Sequence, residues 1–149
     1  MVGEIRDPET ANIAVQSALT GHLVFTTVHA NNVFDVIGRF MHMNVDLYGF
    51  VSALNAILAQ RLVRLLCTAC AGAGCRACRG AGFKGRKAIA ELLILNDEMR
   101  ELITARAPVR QLKEAAARNG TRFLRDAALD AVRRGETTQQ EVDRVTFVG

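Results

Sequence analysis

Polar and apolar positions change rhythm several times along the chain. The apolar opening VGEI ends at the charged pair Arg6-Asp7, and Asp7 before Pro8 has the chemistry of an N-cap followed by a first-turn proline. Ile13, Ala14, Ser17 and Ala18 then recur at helical spacing, which predicts a helix over 8–20 that stops near Gly21, with Thr20-Gly21 as the turn. The next run, HLVFTTVH, is apolar, β-branched, too short for a typical helix and bounded by Gly21 and Asn31-Asn32, so it reads as a buried strand. Strand, helix and strand in that order predict a parallel βαβ unit.

Two further helices are expected over 33–42 and 46–60, separated by Asn44 and with Asp46 as a cap. Phe50, Leu54, Ile57 and Leu58 would form one face against the sheet. After the short run RLVRLL, the segment CTACAGAGCRACRGAGFKGR holds 5 of the 12 glycines and all 4 cysteines, which suits an inserted loop or knuckle rather than regular structure. RKAIAELLIL reads as a strand. Four short helices follow as a C-terminal bundle: one capped by Asn96 or Asp97 and running to about Ala105, one opened by Pro108 and ended by Asn119-Gly120, one from Thr121 to Gly135, and one started by a capping box of Thr138 and Glu141. The expected class is α/β, divided into residues 1–66, 67–95 and 96–149.

Composition narrows this picture. Half of the 149 residues are apolar, enough for one domain's core, and the apolar runs break well before the roughly 18–20 residues that span a bilayer. The N-terminus has no basic region followed by an apolar one, so the expectation is a soluble, unsecreted protein in a reducing compartment. Charge is uneven: residues 61–95 carry 7 basic groups and 1 acidic, which accounts for the net excess of +4. Phe83 is the only aromatic there, which argues against a base-stacking surface, so no nucleic acid is expected and the stretch reads as a solvated or partner-facing surface.

Three places could carry chemistry. Cys67-x-x-Cys70 and Cys75-x-x-Cys78 supply two thiolate pairs with the spacing of a tetrahedral zinc site, and four thiolates leave no open position, so the role is structural. Glu4 stands at the carboxyl end of the first expected strand, where carboxylates of nucleotide-binding α/β proteins hold magnesium; an ordinary carboxylate paired with Arg6 is the alternative. His29 would emerge at the same edge, although a lone histidine is more often structural.

Taken together, VGEIRDPET, TGHLVFTTVHANN, LAQRLVRLLC, the tetracysteine and GFKGRKAIAELL resemble successive boxes of the ATPases of type II secretion and type IV pilus assembly. The likeness is strongest over residues 1 to about 95. It implies the C-terminal portion of a RecA-like parallel-sheet motor domain, with a zinc-knuckle insertion and a helical tail. It further implies a homo-hexameric ring, peripheral on the cytoplasmic face of the inner membrane, that works with platform proteins of a secretion or pilus system. ATP and magnesium would be the cofactors, with Gly3 and Glu4 in the Walker B strand and His29 near the γ-phosphate; Glu4 and His29 would be the catalytic pair. Two departures stand out: the spacer between the cysteine pairs is short, and no G-x-x-x-x-G-K-[ST] loop occurs in these residues, so a C-terminal fragment inactive by itself is expected. Retraction-type members usually lack the tetracysteine, which favours secretion or pilus extension. A zinc-dependent protein-interaction module is the alternative, because CRACRGAG resembles a repeat of the Hsp40-type chaperones.

Overall fold

The computed structural model describes residues 1–146; the last three residues of the expected helical tail lie outside them. The chain forms two compact units, one of residues 1–59 with 92–121, the other of residues 60–91 with 122 onward.

In the first unit, α1 (Pro8–Leu19) starts where Asp7 accepts hydrogen bonds from the Thr10 amide and hydroxyl, at 2.8 and 2.9 Å. This satisfies one of the amide groups that a helix start leaves unpaired. Ala11, Ala14 and Val15 are its buried side. The extended segments flanking α1 run parallel, as expected, with the Val2 amide bonded to the Phe25 carbonyl and the Ile5 amide to that of Thr27. They do not mature into regular strands. Two backbone bonds are too few, and a lone pair of extended segments without a third neighbour is marginal. The expectation that HLVFTTVH is buried also fails: Leu23 is 75% and Phe25 64% exposed, because nothing among the described residues covers their side.

Helix α2 (Val33–His42) is capped by Asn32, whose side chain accepts from the Phe34 and Asp35 amides. Asp46 caps α3 (Leu47–Ala53) through the Gly49 amide, and Phe50 stacks on Phe40 with ring centroids 4.3 Å apart. The helix expected over 46–60 therefore ends at Ala53. Ile57 and Leu58 belong instead to β1 (Ala56–Leu66), where Ile57 is buried and Leu58 is 63% exposed, the alternation of a strand. Pairing with β2 (Phe83–Ile94) overrides the helical spacing of these residues. Leu95 donates to the Asn55 carbonyl and Cys67 to that of Gly82, so β1 and β2 run antiparallel. Among the described residues this ribbon is the regular sheet, in place of the expected parallel one. Asn96 caps α4 (Asp97–Thr104), and α5 (Val109–Arg118) follows Pro108, both as expected. The Arg100 guanidinium bonds the Val51 carbonyl, fastening α4 to the end of α3.

The second unit holds most of the ribbon with α6 (Leu124–Arg133) and α7 (Gln139–Val145), so the four C-terminal helices divide in pairs between the two units rather than forming one bundle. Helix α6 starts three residues after Thr121. Its own cap position, Phe123, offers no oxygen, and the buried Glu91 carboxylate accepts the Leu124 amide at 2.9 Å instead. Thr138 caps α7 through the Glu141 amide, but the reciprocal half of the expected capping box is missing. The Glu141 carboxylate turns inward, fully buried, and accepts from the Arg64 amide at 3.0 Å, the Arg64 guanidinium at 2.7 Å and Arg144 at 2.6 Å. Thr137 donates to the Arg64 carbonyl and Leu66 to that of Glu136, so residues 136–141 are stitched along the edge of β1. Among the described residues no helix is long and apolar enough to cross a membrane.

The Arg144 guanidinium, against the opposing effect of burial and with help from Arg64, holds the Glu141 carboxyl well below the usual carboxylate range. A depressed folded-state pKa adds stability that is present above about pH 4 and lost as pH falls below it. Glu141→Gln is expected to cost about 3 kcal/mol in urea unfolding at pH 7 and to flatten the acid sensitivity between roughly pH 5 and 3. Unchanged stability at pH 7 would refute the anchoring role.

Candidate functional site

The first unit brings together the two candidates that the sequence separates by 25 positions. Because the segments flanking α1 run parallel and in register, Glu4 and His29 come out at the same end. The Thr27 hydroxyl locks that register by donating to the Gly3 carbonyl at 2.6 Å. His29 Nε2 then lies 3.1 Å from Glu4 Oε1. Arg6 grips the other oxygen, with Nε at 2.7 Å and Nη2 at 2.5 Å from Oε2. The Arg6 pairing expected of an ordinary carboxylate is present, and the same carboxylate faces His29.

This leaves the two oxygens unlike each other. Oε2 is saturated by Arg6, whereas Oε1 is shielded from solvent and, despite its closeness to His29, accepts no aligned hydrogen bond. The hydrogen bond from Arg6, helped by its charge and those of His29 and Arg39 and opposed by desolvation, keeps the Glu4 carboxyl below its ordinary range, so it is an anion at neutral pH. An ionised oxygen, screened from water and without a donor, suits a magnesium ion or the water such an ion carries. Open space surrounds Gly3, where a side chain would meet no protein atom, so a ligand can approach the backbone there.

Two supporting residues were not foreseen. Arg39 on α2 donates to the His29 carbonyl at 2.6 Å, holding the end of that segment, and Thr27 locks its register. Arg39 had a signal, since it and Arg6 are the only basic residues other than histidine in the first 60. The histidine end opens into a cleft of about 430 Å³ lined by His29, Asn32, Asp35, Arg39, His42 and Lys113, among others.

The second unit gathers all four cysteines, their sulfurs within 4.8 Å of one another. Cys67 and Cys75 lie 3.9 Å apart, and Cys78 is 3.8 Å from both Cys70 and Cys75. A tetrahedron of sulfurs about 2.3 Å from a central zinc has edges of about 3.8 Å, so the cluster can hold a metal ion with little rearrangement. The Cys75 and Gly82 amides point at Cys78 Sγ from 3.2 and 3.3 Å, and these bonds, that of Cys75 foremost, bring its thiol down to about 6. Burial pushes Cys70 the other way, to about 11.

The short spacer closes because backbone passes directly over backbone. A Cβ on Gly74 would sit 2.8 Å from the Gly80 carbonyl oxygen, and one on Gly82 only 2.5 Å from that of Gly72. Both glycines also have positive φ, +89° and +74°. A single turn of 3-10 helix, Arg76–Cys78, carries the second cysteine pair between these crossings.

The profile described as "Type II/IV secretion system protein" matches residues 1–144. The chain belongs to that family. It is 42% identical to the type II secretion system protein HxcR of Pseudomonas aeruginosa, covering 98% of this chain and 33% of that protein. It is 40% identical to the type II secretion system ATPase E of Vibrio cholerae, over 98% of this chain and 34% of that one, and 40% identical to the type IV pilus assembly ATPase PilB of Thermus thermophilus, over 95% and 19%. The chain thus spans about a third or less of these relatives. Among solved structures, the pilus retraction motor PilT with bound ADP superposes with a TM-score of 0.76 at 25% identity, over 99% of this chain and 40% of that one. The ATPase DotB of Legionella pneumophila gives 0.70 at 22%, over 97% and 37%, which speaks for the α/β fold alone.

If the crossing of Gly82 over Gly72 positions the cysteines, Gly82→Ala should weaken binding of cobalt(II), read from the absorbance of its thiolate complex, by about tenfold or more. Gly80, where a Cβ would meet nothing within 4 Å, is the control despite its positive φ of +79°: Gly80→Ala should weaken binding far less. Equal loss in both would show that backbone conformation, not the crossing, is what matters.

Proposed function

We propose that these residues are the C-terminal portion of a RecA-like motor ATPase that drives type II protein secretion or type IV pilus assembly. The observation that carries the reading is the meeting of Glu4 and His29 at one end of two parallel segments, with one Glu4 oxygen left without a hydrogen bond, in a chain that matches the family over residues 1–144. Glu4 would hold magnesium or its water, Gly3 would let the nucleotide approach, and His29, fastened by Arg39, would face the terminal phosphate. Magnesium would supply charge neutralisation on the phosphates. His29 lies close enough to Glu4 to sense whether that oxygen is occupied, which gives nucleotide state a route to the segment end.

Phosphate cradling needs a glycine-rich loop with its lysine, and these 149 residues contain none, so they are not expected to hydrolyse ATP by themselves. The assembled motor is read as a homo-hexamer on the cytoplasmic face of the inner membrane, working with membrane platform proteins. The tetracysteine is read as a structural zinc site: its sulfur spacing fits a closed tetrahedron, and with four thiolate ligands no position remains for water. Extension or secretion is preferred over retraction because sequence relatives that share the chain at about 40% identity are named for secretion or pilus assembly.

A chimera tests this. The matching third of the Vibrio cholerae ATPase E would be replaced by this chain, and phosphate release measured with magnesium and ATP. The chimera should turn over, Glu4→Gln should lower kcat by about 100-fold or more, and His29→Ala should lower it with nucleotide affinity largely kept. A chimera that hydrolyses ATP equally well with Glu4→Gln would overturn the assignment.

A further inference from the structure

The proposed motor chemistry leaves one charged feature of the second unit unused. Arg64, Arg86 and Arg144 line an open cleft of about 380 Å³ together with Leu62, and no carboxylate lines it among the described residues. Two of the three guanidiniums are fixed in place. Glu141, wholly buried, holds Arg64 by its amide and guanidinium and Arg144 by two contacts of 2.8 and 2.6 Å. Arg64 is held from its other side by the Phe83 ring, 4.4 Å from the centroid. Yet these two side chains stay 44% and 55% exposed. Arg86, exposed on β2, makes no ion pair among the described residues.

Counting Glu141 against the three arginines leaves two positive charges facing the cleft. Guanidiniums already ordered by other contacts lose little freedom on binding an oxyanion, and their forked donors match a carboxylate. Other basic groups of this unit are held by carboxylates: Lys87 and Arg134 are both taken by Glu136, and Arg125 by Asp143. The cleft is open rather than enclosing, which gives a free ion little burial. Leu62, 55% exposed on the same face of β1, adds an apolar contact that a small anion could not use.

We propose that the Arg64–Arg86–Arg144 cleft is a docking site for an acidic segment of a partner protein, one that places a glutamate or aspartate side chain between the arginines and an apolar side chain on Leu62. This surface is distinct in residues and in chemistry from the Glu4–His29 pair.

The test uses the zinc-loaded chain and a fluorescein-labelled peptide of alternating Glu and Leu, followed by anisotropy at low salt. Saturable binding is expected, weakening about tenfold or more in Arg86→Ala, whose exposed side chain makes no ion pair among the described residues, and only partly recovered in Arg86→Lys, which restores the charge without the fork. In parallel, the Nε–H resonances of Arg64 and Arg144 should shift as the peptide is added. The proposal is overturned if Arg86→Ala binds like the parent, or if a peptide with Gln in place of Glu binds equally well, which would mark a merely apolar surface. It is also overturned if inorganic phosphate displaces the peptide at concentrations below those of free glutamate, which would make this a phosphate site.

Discussion

The meeting of Glu4 and His29 in the first unit depends on the register between two extended segments that share two backbone hydrogen bonds and one hydroxyl contact among the described residues. A slip of one residue in an extended segment turns every side chain to the other face, and here it would carry His29 away from Glu4. Regular sheet pairing is not what prevents that slip. The register is held by the ends: Asp7 fixes where α1 begins, Arg39 pins the His29 carbonyl, and Thr27 bonds the carbonyl of Gly3, the residue before Glu4. A helix with a well-defined start and a carbonyl clamp at the far segment's end thus do the work that a third strand does in a wider sheet.

The second unit solves a different problem, that of ordering a glycine-rich loop with little apolar content. It does so at both ends of the ribbon's loop. Inside, the crossings of Gly74 with Gly80 and of Gly82 with Gly72 bring the cysteine pairs to tetrahedral distance despite the four-residue spacer. Outside, the edge of β1 just before Cys67 is bonded by residues 136–141, so the chain enters the loop from a fixed strand. Leu66 and Cys67 are neighbours in sequence but their amides donate in opposite directions, that of Leu66 to the Glu136 carbonyl and that of Cys67 to the Gly82 carbonyl. The strand that enters the loop is therefore tied to the start of α7 by the Glu136 carbonyl, the Thr137 hydroxyl and the buried Glu141 carboxylate.

What was legible in the sequence was whatever local chemistry decides. Caps at Asp7, Asp46, Asn96 and Thr138 each accept the expected amide, because the competition between a short polar side chain and water is settled within three residues. The cysteine spacing announced the cluster for the same reason. Glu4 and His29 came together because a helix between two parallel segments returns the chain to the same edge. Features decided at long range were not legible. The spacing of Phe50, Leu54, Ile57 and Leu58 is helical, yet pairing with β2, some thirty residues on, wins from Ala56 onward. Glu141 reads as a capping-box residue until Arg64, 77 positions away, offers it a better bond.

Arg64 shows why the basic stretch should not be read by composition. Its amide and guanidinium both serve Glu141, and its flat face lies over Phe83, the only aromatic between residues 61 and 95. A ring already covered by a guanidinium presents that face to no base, so counting aromatics against cations overstates what the stretch can stack. The charges divide likewise, Lys87 answering Glu136 while Arg86, one residue earlier on the opposite face of β2, answers nothing among the described residues. Alternation along a strand separates the cations that hold the fold from those that face outward, and neighbouring residues in the sequence fall into opposite classes. Of the seven cations that composition places in the middle of the chain, Arg64 and Lys87 are drawn into the fold by carboxylates of residues 136–141, far along the sequence, a division that composition alone does not reveal.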